Sequence, residues 1–245
     1  MASFLASQAV AAGMHYVVIS GLKYDFKDQL AFYGTYHQDP VNQAIHFVFI
    51  PIILWTAMLL FAYHDIFGLK LSILGHRLSW ATTLFLTYVV YYNILDPFGG
   101  RVYTCKFLIY CSTGFVANSL LVVMLMLMYY SASYLVSSEL EAKYGKSGSN
   151  SKPAGFNGID IWKIALFLHA FSWYMQIHPG HAIYEGVKPA LLDSMAQAFS
   201  VAPLFAFYEG IWFFGYQPDL QDLVVQSVNA NRAALCDAGG NFPWC

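Results

Sequence analysis

Eight histidines are spread along a chain of 245 residues, and five of them fall into two short blocks. Imidazole is the side chain that most often binds a metal near neutral pH, so these blocks are the first place to look for chemistry. The first block runs from Tyr33 to His46. Its Asp39 followed by Pro40 is a helix-start signal, a capping carboxylate with proline in the first turn. That places His37 just outside a helix and His46 about two turns inside it. Asn42 lies four residues before His46 and therefore on the same face. The second block runs from His169 to Glu185. There His169, Trp173 and Gln176 share a face at helical spacing, and Pro179-Gly180 breaks the helix. If a helix resumes after the break, His181 and Glu185 align at i,i+4. That is a spacing used by paired ligands, or by a ligand and the carboxylate that orients it. The other histidines read more plainly. His15 lies in a weak N-terminal segment, and His64 and His76 stand at the ends of a loop beside Asp65 and Arg77, in solvated or capping roles. By pattern alone, a metal site and a set of hydrogen-bonded interior histidines are both open.

The elements that must carry these blocks are membrane elements. Hydrophobic residues make up 58% of the chain and charged ones 11%, against about 45–50% and about 25% in an ordinary soluble domain. So few charges cannot cover a water-soluble globule of this size. Residues 45–63 contain His46 as their sole ionisable group, 78–95 carry no charge or histidine, and neither do 107–136. The last is longer than the roughly 20 residues a span needs. Residues 164–177 are apolar but short and end at the Pro-Gly break, and 194–216 hold Glu209 as their one ionisable group. Interrupted segments survive at membrane depth where they line a cavity or are buried in protein. The sequence therefore predicts an all-α integral membrane bundle of four or five membrane-embedded helices, with an interrupted helix beside the histidines. A histidine at such depth is costly in lipid and faces the bundle interior.

One membrane domain is expected over 1–245, with a core over 25–216, an exposed linker over 143–158 rich in Gly, Ser, Asn and Lys, and a tail over 217–245. Lys and Arg are too evenly shared between alternate loops for the positive-inside rule to set an orientation. The N-terminus lacks the positive n-region of a secretory signal. A net charge of −2 gives no basic face for nucleic acid. The four cysteines show no CxxC pair or zinc-ribbon spacing, and Cys236 and Cys245 can pair if the tail faces an oxidising lumen.

Two stretches carry a resemblance. FYGTYHQDPVNQAIHFVFIP, from Phe32, and HAFSWYMQIHPGHAIYEGVKPALLDSMAQAFSVAPLF, from His169 to Phe205, resemble the paired signatures of a family of small endoplasmic-reticulum membrane proteins, long catalogued as a domain of unknown function. Its best-understood member is the yeast 2-hydroxy fatty acid dioxygenase of phytosphingosine breakdown. The resemblance implies a multi-pass protein of that membrane that shortens long-chain 2-hydroxy fatty acids by one carbon, using dioxygen and Fe(2+). It carries His37, His46, His169 and His181 over as the iron ligands. His178 falls where the family pattern reserves no histidine and stays outside that set.

This chemistry suits the residues. A 2-hydroxy acid offers a carboxylate and a hydroxyl to one metal, and an oxygen-activating iron centre keeps positions open. Three protein ligands leave room for both substrate oxygens and dioxygen, whereas four leave one position too few. Glu185 is the candidate to orient His181 or take a proton, and Lys188 the candidate to steer the carboxylate. A long acyl chain partitions into the bilayer at about 0.8 kcal/mol per methylene, so the metal belongs near headgroup level with the tail between helices. A di-iron hydroxylase would need HxxxH and HxxHH boxes, which are absent from the sequence. A haem or other metal-binding membrane protein, and a lipid transporter or scaffold with structural histidines, are the other readings of the same residues.

Overall fold

The computed structural model describes residues 2–73, 76–95, 107–144 and 155–245. Its elements are α1 (Ala2–Ser20), α2 (Phe26–Thr35), α3 (Pro40–Ala62), a two-residue hairpin β1 (Ser72–Ile73) and β2 (His76–Arg77), α4 (Trp80–Leu95), α5 (Phe107–Tyr144), α6 (Ile161–Met175), a π-helical segment (Gln176–Glu185), α7 (Met195–Phe213) and α8 (Pro218–Asp237). The all-α membrane bundle read from the sequence is the architecture found. Among the described residues, Phe4–Lys23, Pro40–Ala62 and Ser119–Tyr144 are helical, long and apolar enough to cross a membrane. The outside of the bundle is apolar as well: Val48 on α3, Leu127 on α5 and Phe167 on α6 are exposed. Water would penalise such a surface and lipid accepts it.

α3 is the central element and touches α4, α5, α6, the π-helical segment and α7. Its start is the one the sequence announces. Asp39 accepts hydrogen bonds from the amides of Val41 (2.8 Å) and Asn42 (3.1 Å), with Pro40 in the first turn. Its buried side follows helical spacing through His46, Ile50, Leu54 and Met58. The same side therefore carries a histidine at one end and aliphatic groups beyond it.

The interruption expected at Pro179-Gly180 takes a specific form. α6 runs 15 residues and then widens into the π-helical turn, a form often found at functional sites. A wider turn accommodates Pro179, which has no N–H to give an α-helical ladder. The segment ends at Gly186, whose φ of +70° terminates it in the left-handed region. Gly180 is needed for a different reason. A Cβ there would lie 2.5 Å from Asn42 Oδ1 and 3.4 Å from His46 Cε1, so glycine lets the turn dock against α3.

Three features differ from the sequence expectation or extend it. The weak N-terminal segment is α1, a full candidate span. Its polar Gln8 and His15 obscure the pattern but bond within the protein: Gln8 Oε1 accepts from Trp80 Nε1 (2.6 Å), and His15 donates through Nδ1 to the Ala11 carbonyl (2.6 Å). The stretch 78–95 forms α4, described from Trp80 to Leu95. The tail region holds α8, which packs along α2, and Cys236 and Cys245 are disulfide-bonded. Most of the linker expected over 143–158 lies outside the described residues.

Candidate metal centre

Three histidines converge at one end of α3. His37 follows α2, His46 is on α3 and His181 is in the π-helical segment. The three are 1%, 2% and 2% exposed, respectively. Ring centroids stand 4.4 Å apart for His37–His46, 4.7 Å for His37–His181 and 5.0 Å for His46–His181, each pair within 13° of perpendicular. One nitrogen from each can be chosen so that all three lie within 4.8 Å of one another. Three imidazoles turned edge to face about a common point present lone pairs rather than a packed stack.

The hydrogen bonds settle which nitrogens are available. His37 Nδ1 lies 2.6 Å from the Tyr33 carbonyl and His46 Nδ1 lies 2.9 Å from the Asn42 carbonyl. A carbonyl only accepts, so both Nδ1 atoms carry the proton and both Nε2 atoms keep a lone pair. Among the described residues, His37 Nε2 and His181 Nδ1 are buried without a partner. An orphaned buried nitrogen is costly unless something binds it, and a divalent metal fits the set. His37 and His181 lie outside the three candidate spans. Burial, with the neighbouring His46 and His181, holds His37 well below the usual imidazole range, and burial, then His46, lowers His181 to about 3. Both rings are neutral, as metal ligands must be. Tyr33 stacks flat on His37 at 3.9 Å and fixes that ring.

Glu185 is 7% exposed and holds the frame together. Its carboxylate accepts from the amides of Gln38 (2.9 Å) and Asp39 (2.8 Å) and from Asn42 Nδ2 (3.1 Å). It thereby ties the π-helical segment, and with it His181, to the turn that presents His37 and to the start of α3. Arg232 of α8 approaches the same carboxylate at 3.6 Å while stacked over Trp244, 3.8 Å from the ring centre.

A cavity of about 560 Å3 opens from the three histidines and runs along α3. Its polar lining includes Tyr33, His169, Trp173 and Gln176, and the rest is apolar, with Ile50, Leu54, Ala57 and Phe61 from α3 among it. His169 lines the cavity apart from the cluster of three. Trp173 Nε1 donates to its Nε2 (3.1 Å), and its Nδ1 faces Thr56 Oγ1 (2.8 Å). Both ring nitrogens are engaged, so the structure brings three of the four expected ligands together and holds the fourth aside. Lys188 forms an ion pair with Asp193 at 2.5 Å and does not line the cavity. Gln176, read from the sequence only as a neighbour of His169 on one face, is 6% exposed and its Nε2, at the cavity wall, has no partner among the described residues. The helical spacing was a signal for it, but nothing in spacing says that the amide lacks a partner.

A family model described as 2-hydroxy-palmitic acid dioxygenase Mpo1-like matches residues 23–211. The chain is 26% identical over 197 residues to the 2-hydroxy-palmitic acid dioxygenase MPO1 of Saccharomyces cerevisiae, an alignment covering 80% of this chain and 86% of the yeast protein. No solved structure matches the chain.

Proposed function

Since the chain belongs to the Mpo1-like family, we propose that it is a membrane-embedded Fe(2+)-dependent dioxygenase that shortens long-chain 2-hydroxy fatty acids by one carbon. The observation that carries the reading is three buried imidazoles converging at the head of an apolar cavity. His37, His46 and His181 hold the metal. Tyr33 and Asn42 orient two of the rings through their carbonyls, and Glu185 keeps the three supporting segments in register. Ferrous iron in that position supplies the activation of dioxygen. Three histidines would hold the metal and leave the cavity side of the cluster for the carboxylate and hydroxyl of a 2-hydroxy acid. Gln176, a free donor at the wall, binds the carboxylate, and the acyl tail follows the apolar side of α3. A polar head at the histidines and a tail among aliphatic groups is the division expected of a lipid substrate.

The membrane is that of the endoplasmic reticulum and the pathway is the breakdown of sphingoid bases such as phytosphingosine. The Cys236–Cys245 disulfide supports a tail on the oxidising, lumenal side. The test is purification in detergent without oxygen, metal analysis by mass spectrometry, and addition of iron, oxygen and 2-hydroxypalmitate. Stoichiometric iron and a fatty acid one carbon shorter are expected. Folded protein with neither iron nor iron-dependent turnover would instead favour a transporter or scaffold.

A further inference from the structure

Part of the cavity wall comes from outside the region that the family model matches. Val10, Gly13, Met14 and Val17 of α1 line it, at the i, i+3, i+4, i+7 spacing of one helical face, whereas the match begins at residue 23. The run of α1 is fixed at its start. Gln8 donates to the Asp65 carbonyl and accepts from the Phe67 amide, both just beyond the end of α3. Since α3 begins beside the histidines and ends at Ala62, α1 starts at the end of the cavity remote from them, and Gly13 follows Gln8 by little more than one turn. From His46 to Phe61, the furthest residue of α3 in the lining, the helix rises about 22 Å at 1.5 Å per residue, more than the hydrocarbon depth of one leaflet, about 15 Å.

Gly13 is out of place by the usual reasons for glycine. It is helical, so no left-handed backbone calls for it, and a Cβ added there would meet nothing within 4 Å among the described residues. Glycine weakens a helix, and membrane helices keep it mainly where two backbones approach closely. Gly21, just after α1, is that ordinary case, because a Cβ there would run into Ser200. At Gly13 the space is empty and belongs to the cavity. Gly13 and Val10 are both accessible and both line the cavity, and at Gly13 α1 carries no side chain across the cavity wall.

We propose that Gly13 is the exit for the acyl tail, a gap in α1 through which chains longer than the cavity pass into the bilayer, and that it thereby sets the chain length the protein accepts. The inference rests on the reading of the site as one acting at the head of a long-chain 2-hydroxy acid. With the gap open, long tails are tolerated; with it filled, the cavity has an end wall.

The experiment compares Gly13→Phe with Gly13→Ala and wild type on 2-hydroxylaurate, 2-hydroxypalmitate and 2-hydroxylignocerate. Each methylene that a pocket cannot hold is worth about tenfold in selectivity or more. Gly13→Phe should therefore lower kcat/KM for 2-hydroxylignocerate about tenfold or more relative to 2-hydroxylaurate, and Gly13→Ala should leave the ratio near wild type. Displacement of a fluorescent fatty acid by the same three acids reads tail length without turnover. Val10→Trp, at the same rim, serves if Gly13→Phe does not fold. Equal losses at all three lengths, or an unchanged length preference in both assays, would overturn the proposal. A wild type that binds the acids but consumes none, with length preference still altered at Gly13, would sustain the tail exit and remove the dioxygenase reading.

Discussion

At the scale of single residues, lone-pair availability separates the histidines. His37 and His46 each spend their one proton on a backbone carbonyl, which leaves Nε2 free to bind. His169 instead accepts from Trp173, so its lone pair is already used. Single His→Ala changes at 37, 46 and 181 are therefore expected to abolish stoichiometric iron, whereas His169→Ala retains it. Metal analysis of the four variants checks this, and iron loss equal to the others in His169→Ala would return that residue to the ligand set. Gln176 makes a separate prediction. A hydrogen bond to a charged group is worth about 1.5–3 kcal/mol. Gln176→Leu should then raise KM for 2-hydroxypalmitate by about tenfold or more while iron content stays at wild-type level. An unchanged KM would leave carboxylate recognition to some other group.

At the scale of elements, the site depends on how closely the π-helical segment docks on α3. Glu185 satisfies two backbone amides and Asn42 from the facing turn. Glu185→Ala strands the buried Asn42 amide, a cost of about 1–3 kcal/mol, and leaves the part-buried amides of Gln38 and Asp39 to water. The loss of a group that orients ligands typically weakens metal affinity by about 10–100-fold. Glu185→Ala should show both effects, read by thermal unfolding and by competition with a chelator, and Glu185→Gln should be milder because an amide oxygen still accepts. An unaltered metal affinity would separate this carboxylate from the centre. Much at this scale was legible in the sequence. Asp39-Pro40 marked the start of α3 and Pro179-Gly180 the interruption, while the i,i+4 pairing of His181 with Glu185 presumed an α-helix where the chain forms a π-helical turn. What could not be read was where the carboxylate points, because its partners lie some 146 positions away in the chain. α1 also escaped notice, since Gln8 and His15 look like surface residues until Trp80 and the Ala11 carbonyl are beside them.

At the scale of the whole molecule, an apolar exterior and a polar cluster buried at one end of an apolar cavity follow from one composition. The chain has too few charges to cover itself in water, and it gathers its imidazoles inside. That burial has a thermodynamic consequence. His37 and His181 have folded-state pKa values lowered by burial and by the neighbouring rings, that of His181 to about 3. The unfolded chain takes up protons on the same residues below about pH 6.5. For a base whose pKa is lowered by folding, the unfolded state binds more protons throughout the window between the two values, so stability falls as pH falls. The slope is about 1.4 kcal/mol per pH unit for each such histidine. In protein stripped of metal, Tm should therefore be level above about pH 7 and drop steadily from about pH 6.5 to about pH 5. His181→Phe, which cannot titrate, should flatten part of that slope. Bound iron raises the plateau, because it binds the folded state alone, and it steepens the acid side, because protons compete for the same lone pairs. A Tm independent of pH across this window in metal-free protein would mean that the folded and unfolded states bind equal numbers of protons, and that the three imidazoles are hydrated rather than sealed within the bundle.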